Sequence, residues 1–357
     1  MSNARPVSRE SIDQIDAQIV ELLDQRARLA LDLGQAKTES GEGAFVPVRE
    51  NAVLAKVTQG HRGPFPTGSL RAVFGEIISA CRQLQTQERT IILGERYGWV
   101  HDAALAQFGS STVFTAVEGG DEVIEAVKKD PQALAFLHLG AGNPDINLLL
   151  EALLAGKLQI IAETTYLPRF SLVSAQAIEL PEVTDLFTTR EILTTLRHWV
   201  LSLSFPVRIN ICRSVEEIIE NLVENLPNAG LLPQGVAKTL GHHLIQGNLE
   251  PHANVPRRCV TVSGKADREI AKGMKTSILC TLRQEPGALH RLLGVAASYQ
   301  CNLLGIQMFP FTGKAWDDLF LLDFACPGET KNRDAMLAEL AAACLLFQWV
   351  GTYPVMK

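Results

Sequence analysis

The sequence has no CxxC pair. Its seven cysteines are an odd number, scattered along 357 residues. That excludes a complete disulfide framework and a zinc site built on paired cysteines, and reduced thiols in a cytoplasmic protein are the expectation. No apolar run reaches about 18 residues, so no membrane-spanning helix is expected. The opening residues, MSNARPVSRESIDQ, lack the apolar core of a secretory signal. There is no excess of positive charge. Lys and Arg number 33 against 39 Asp and Glu, a formal net charge of −6. A broad surface for nucleic acid or anionic membrane is thereby excluded. Low-complexity tracts and close internal repeats are also missing. What is present is ordinary globular composition, 46% hydrophobic and 20% charged, in a chain long enough for two or three domains.

Three textures divide the chain. Residues 1–88 read as wholly helical. Residues 89–265 alternate short apolar strands with amphipathic helices, as a bilobed α/β unit would. Residues 270–357 form a shorter α+β unit of order βαββαβ. The joints are polar, TQERT at 86–90 and GKADREIAKGMK at 264–275. In the middle unit the pattern predicts strands at TIILG, TVFTAV, ALAFLHL, LQIIAE, VRINIC and AGLLP. It predicts helices that include 190–204, 214–226 and 235–246. Two such lobes commonly leave a ligand cleft between them.

In the helical segment, Ile12, Ile15, Ile19, Leu22, Leu29, Leu33 and Ala36 recur at spacings of three and four. They form a heptad seam on one helix over about residues 8–38. Arg26 fills the one vacant seam position. Two roles fit a cation there. It can be a register device that fixes helix pairing, or it can bind an anion, since a buried charge must be paired. More cations follow. Lys37 lies three helical turns beyond Arg26 on nearly the same face, about 16 Å along the axis. Side chains reaching toward each other across that span would enclose a small molecule. Arg9 lies about 25 Å from Arg26 in the other direction. A straight helix cannot bring it to the same gap, but an antiparallel partner chain can. A site using Arg9, Arg26 and Lys37 therefore implies an intertwined homodimer. A second helix is expected from about Ser69 to Gln87, striped by Leu70, Val73, Phe74, Ile77, Ile78, Cys81 and Leu84. A short helix begins near Pro47 and carries Arg49 and Glu50 in its first turn.

The ordered set resembles the all-helical chorismate mutase family over residues 8–88. The matching residues are Arg9 in SRESID, Arg26 in LLDQRARLA, Lys37 in GQAK, Arg49 and Glu50 in VPVREN, and Cys81 and Gln85 in SACRQLQ. Cys81 stands where some relatives carry serine, and it is read as a packing residue. The resemblance implies the pericyclic rearrangement of chorismate to prephenate, which needs no nucleophile, metal or cofactor. It implies that Arg26 and the partner's Arg9 hold two carboxylates, where bidentate forks suit the geometry. Lys37 and Gln85 would donate to the breaking ether oxygen. Glu50 would accept from the ring hydroxyl, and Arg49 would orient its neighbours. An amide donor at Gln85 needs no protonation, so the step should not demand acidic pH.

The order of the three segments resembles the bifunctional chorismate mutase–prephenate dehydratases, with an ACT-like last unit. After residue 88 the motif match weakens. The family's GPxGSYSH-like loop is GERYGWVH here, keeping Gly94, Gly98 and His101. The PIENS-like loop is HLGAGNP at 138–144, without the glutamate. The SHP-like motif is TTR at 188–190. Ser214 remains at the start of SVEE, where a helix N-cap explains it at least as well as catalysis. The TRF motif, whose threonine is catalytic in the family, is Pro256, Arg257 and Arg258. Proline offers neither hydroxyl nor N–H. The expectation is a dehydratase-like domain with little or no dehydratase activity. His101, Ser214, Arg257 and Arg258 remain as residues of an altered cleft, although a pair of arginines is also an ordinary solvated surface. The adjacent His242 and His243 diverge on a helix, so a shared metal is not expected. In the last unit, Gly287, Ala288 and Leu289 match the family's effector loop, where glycine lets backbone amides approach an amino acid. The usual ESRP is QMFP at 307–310, which puts phenylalanine control in question, and a purely dimerising role stands beside it. Two other readings stay open for the whole chain: a fully active bifunctional enzyme making phenylpyruvate, and a non-catalytic sensor or partner-binding protein.

Overall fold

The computed structural model describes residues 9–40, 45–85, 90–130, 133–140, 142–251, 255–264, 273–310, 318–325 and 328–356, excluding the side chains of 37–40. Both polar joints fall largely outside these residues, as does the side chain of Lys37. The chain forms two compact units, one of residues 1–88 with 108–113, the other of 89–107 with 114–357.

The first unit holds three helices, α1 (Arg9–Ser40), α2 (Pro47–Thr58) and α3 (Thr67–Gln85). Pro47 opens α2, where its fixed φ and missing N–H cost nothing. Glu50 lies in the same first turn, favourably placed at the positive end of the helix. α1 packs along α3, and Gly34 sets how closely. A side-chain carbon at 34 would sit 2.9 Å from the Cα of Gln85. The expected seam of α1 is not buried within this chain. Ile12, Ile15, Ile19, Leu22, Leu29 and Leu33 remain exposed.

The second unit begins with β1 (Thr90–Leu93), α4 (Trp99–Phe108), β2 (Phe114–Val117), α5 (Gly120–Lys129), β3 (Ala135–His138), α6 (Ile146–Leu154) and β4 (Gln159–Tyr166). It continues with β5 (Phe170–Ser174), β6 (Asp185–Thr189), α7 (Arg190–Thr195), α8 (Arg197–Leu201), β7 (Arg208–Cys212), α9 (Val215–Glu220), β8 (Asn228–Pro233), α10 (Gln234–Leu240), β9 (His243–Leu249) and β10 (Arg257–Ser263). The last segment is β11 (Lys275–Thr281), α11 (Ala288–Ser298), β12 (Leu303–Pro310), β13 (Asp318–Ala325), α12 (Thr330–Ala342) and β14 (Leu346–Tyr353), followed by β15 (Val355–Met356).

Three sheets result. The first has order β15-β4-β10-β3-β1-β2, the second β7-β6-β8-β5-β9, and the third β12-β13-β11-β14. β1 runs parallel to β2 and β3, while β10 is antiparallel to β3 and β4. The residues of β1 are all buried, as strands covered on both faces require. The third sheet carries the expected βαββαβ order. No helix among the described residues is long and apolar enough to cross a membrane.

Several sequence expectations need correction. The helix expected over 235–246 stops at Leu240, because Gly241 turns the chain at φ +70°, and β9 follows. His243 is therefore a strand residue and His242 a loop residue. The helix expected over 190–204 is broken into α7 and α8, and that over 214–226 ends at Glu220. The strands β5, β6, β9 and β10 were not apparent from the sequence pattern.

Candidate functional site

In the helical unit, Arg26, Arg49, Glu50, Cys81 and Gln85 line one cavity of about 240 Å³. Its apolar wall includes Leu29, Ala30, Leu33, Val46, Val53 and Ile78. Arg26 is half-buried on α1 and reaches α3, where its Nη1 donates to the Ile77 carbonyl at 3.4 Å. Cys81 is buried and forms no disulfide among the described residues. Arg9 is exposed in the first turn of α1 and does not line this cavity.

Arg82, which the sequence patterns did not single out, also lines the cavity. Its Nη1 meets Oε1 of Glu50 at 2.6 Å. Its Nη2 donates to the carbonyl of Phe108 and to the hydroxyl of Thr112, the latter at 3.1 Å. The guanidinium also lies 5.4 Å from the ring centre of Phe45 and 5.3 Å from that of Phe108, within reach of cation–π attraction.

A second cluster forms in the α/β unit. The guanidinium of Arg257 lies 4.2 Å from the ring centre of Trp99 and pairs with Glu191 at 3.0 Å. Trp99 meets the ring of His138 edge-on at 5.1 Å. Burial and the nearby Arg257 hold the His138 pKa below its ordinary value. His101 is buried, and its Nδ1 accepts from the Tyr97 amide at 2.9 Å. Burial, with Arg96 nearby, holds its pKa down at about 4. Ser214 is an N-cap: its hydroxyl accepts from the Glu217 amide at 3.2 Å. Glu217 reaches back to the amide of Arg213 at 2.6 Å. That geometry accounts for Ser214 without a catalytic role.

Arg258 departs from the expectation of an altered cleft or a solvated surface. It is largely buried, bonded to Glu163, Gln307, Asp323 and Tyr353. Lys275 pairs with the same two carboxylates, at 2.7 Å to Glu163 and 3.3 Å to Asp323. Neighbours on a strand point to opposite faces, so Arg257 and Arg258 serve different surroundings. Gly287 takes φ +78° as the N-cap of α11, with Ala288 and Leu289 in the first turn. Among the described residues, no cluster of three or more His, Cys, Asp or Glu is placed to hold a metal.

Residues 8–86 match the family model described as chorismate mutase type II. The bifunctional chorismate mutase/prephenate dehydratase of Aquifex aeolicus is 27% identical over 353 residues, covering 97% of this chain and 96% of that protein. Over nearly its whole length this chain is similar to the bifunctional chorismate mutase/prephenate dehydratases. Solved prephenate dehydratases share the fold over about three quarters of the chain. That of Staphylococcus aureus, 18% identical, has a TM-score of 0.62 over 74% of this chain and 99% of its own. That of Arthrobacter aurescens, solved with L-Phe, is 20% identical with a TM-score of 0.61 over 74% and 89%.

The cavity lies in the segment that matches the mutase model, and the Trp99 cluster lies beyond it. The signal for Arg82 was weak in one dimension, because its partners at 50, 108 and 112 are remote in sequence. His138 and Glu191 were missed for the same reason.

Proposed function

We propose that the helical domain is a chorismate mutase. What supports this most directly is the convergence of Arg26, Arg49, Glu50, Cys81 and Gln85 on one cavity, within a segment matching the type II mutase model. The substrate is a dianion, and guanidinium groups suit its carboxylates. The reaction requires a compact conformer and stabilised charge on the ether oxygen, both supplied by fixed donors. Gln85 lies at the cavity to donate to that oxygen, and Lys37 joins it in this reading. Glu50 accepts from the ring hydroxyl. Arg9 comes from a second copy of the chain, and the exposed seam of α1 supports such a partner, because apolar side chains in a row favour burial. On this reading the domains are residues 1–88, 89–265 and 270–357, the last an ACT-like unit with Gly287, Ala288 and Leu289 at an amino-acid site.

The dehydratase-like domain is read as weak or inactive in dehydration. Pro256 stands in the TRF position, and Arg257 is engaged by Glu191 and Trp99. A second reading, that both activities are present, is favoured by similarity to a bifunctional enzyme over 353 residues. One assay separates the readings. Purified protein receives chorismate at neutral pH, and prephenate and phenylpyruvate are both followed. Prephenate alone is the expected result. Phenylpyruvate above the spontaneous background supports the second reading, and absence of turnover overturns both.

A further inference from the structure

Glu50 and Arg82 meet at 2.6 Å with their side chains only 13% and 10% exposed. A guanidinium so enclosed needs an acceptor for each face of its fork, or burial would cost several kcal/mol. Glu50 takes one side. The carbonyl of Phe108 and the hydroxyl of Thr112 take the other. That hydroxyl donates its own proton to the Phe108 carbonyl at 3.1 Å, so its lone pair is free to face Arg82.

Phe108 and Thr112 lie beyond residues 8–86, the stretch matching the mutase model. The segment 108–113 nonetheless packs with the helices. Glu76 of α3 accepts from the Ser110 amide at 3.0 Å and from its hydroxyl at 2.6 Å. Gly109 takes φ +80°, and a side-chain carbon there would sit 2.5 Å from the Cβ of Ser79. Only glycine allows this approach without displacement.

We propose that Arg82 is a positioning residue of the mutase cavity: it fixes the Glu50 carboxylate at the cavity wall and is itself held by a segment, Phe108–Thr112, from outside the mutase sequence. This rests on the chorismate mutase reading. Lysine cannot replace Arg82 fully, since an ammonium lacks the fork that serves both sides. Gly109 and Thr112 do not line the cavity, yet both act on it through Arg82.

The test uses the full chain. Wild-type turnover of chorismate establishes the underlying reading first, and its absence ends reading and proposal together. With turnover in hand, Arg82→Gln should lower kcat/KM about tenfold, and Arg82→Lys should recover part of that loss. Glu50→Gln keeps an acceptor oxygen and so retains measurable activity. In that background Arg82→Gln should cost less than about twofold more, because both changes abolish the same ion pair. Thr112→Val and Gly109→Val should each lower kcat/KM by about threefold, again with little effect in the Glu50→Gln background. If Arg82→Gln does not fold, Thr112→Val carries the same cycle. Undiminished activity in the single variants would overturn the proposal. So would an equal loss in both backgrounds, which would mean that Arg82 acts on substrate directly or only on folding.

Discussion

His101 shows how one residue ties burial to pH. Its Nδ1 accepts from the Tyr97 amide, so the ring proton sits on Nε2. Burial holds its pKa at about 4, against an ordinary 6.5. Below pH 6.5 the unfolded chain takes up a proton that the folded chain refuses. Stability therefore falls as pH drops from about 6.5 toward 4, by up to roughly 3 kcal/mol from this group. Urea unfolding of wild type and His101→Gln between pH 4 and 7 checks this. The variant should have the flatter stability profile across that window. Equal slopes would show that His101 is not the responsible group. At this scale the sequence was informative where a residue broke a periodic pattern. Arg26 stood out because it interrupted an apolar seam. Arg82 and Arg258 broke no pattern, and their partners come from strands and helices far along the chain.

At the scale of elements, α1–α3 were legible because each carries its own period. α1 was expected over about 8–38 and runs Arg9–Ser40. The second lobe was less legible. Short strands such as β6 and β9 carry too few residues for a period to emerge, and the apolar residues after Gly241 continued a helical rhythm. The glycine itself was the missed stop signal. Strand β10 carries the Arg258 network, which joins the first sheet to the third through Glu163, Lys275, Ser277, Asp323 and Tyr353. Burial pushes the Tyr353 hydroxyl pKa up, so the phenol remains a neutral partner. Removing Asp323 leaves two largely buried cations sharing the single carboxylate of Glu163. Asp323→Ala should cost about 3–5 kcal/mol of stability, read from the urea midpoint. Adding Arg258→Met should restore part of this, because it removes the excess positive charge and leaves Lys275 paired with Glu163. Strictly additive losses would contradict a coupled network.

For the whole molecule, the proposed mutase site needs two chains. Arg9 stands exposed at one end of α1, while Arg26 lines the cavity. Arg9→Ala and Arg26→Ala should each lower mutase activity by at least a hundredfold, on the scale of lost transition-state contacts. Mixed after unfolding and refolding together, the two variants should regain up to about a quarter of wild-type sites. One site in a mixed dimer then has both arginines intact. No recovery would place Arg9 outside the neighbour's cavity.

The short strand β15 has a consequence for how this chain comes apart. It follows directly on β14 of the third sheet, yet hydrogen-bonds in parallel to β4 at the border of the first. The polypeptide is thus sewn back across the seam that the Arg258 charges already fasten. The C-terminal module should not melt as a loose bead ahead of the sheet it is stitched to; in a calorimeter the two would give way in a single event.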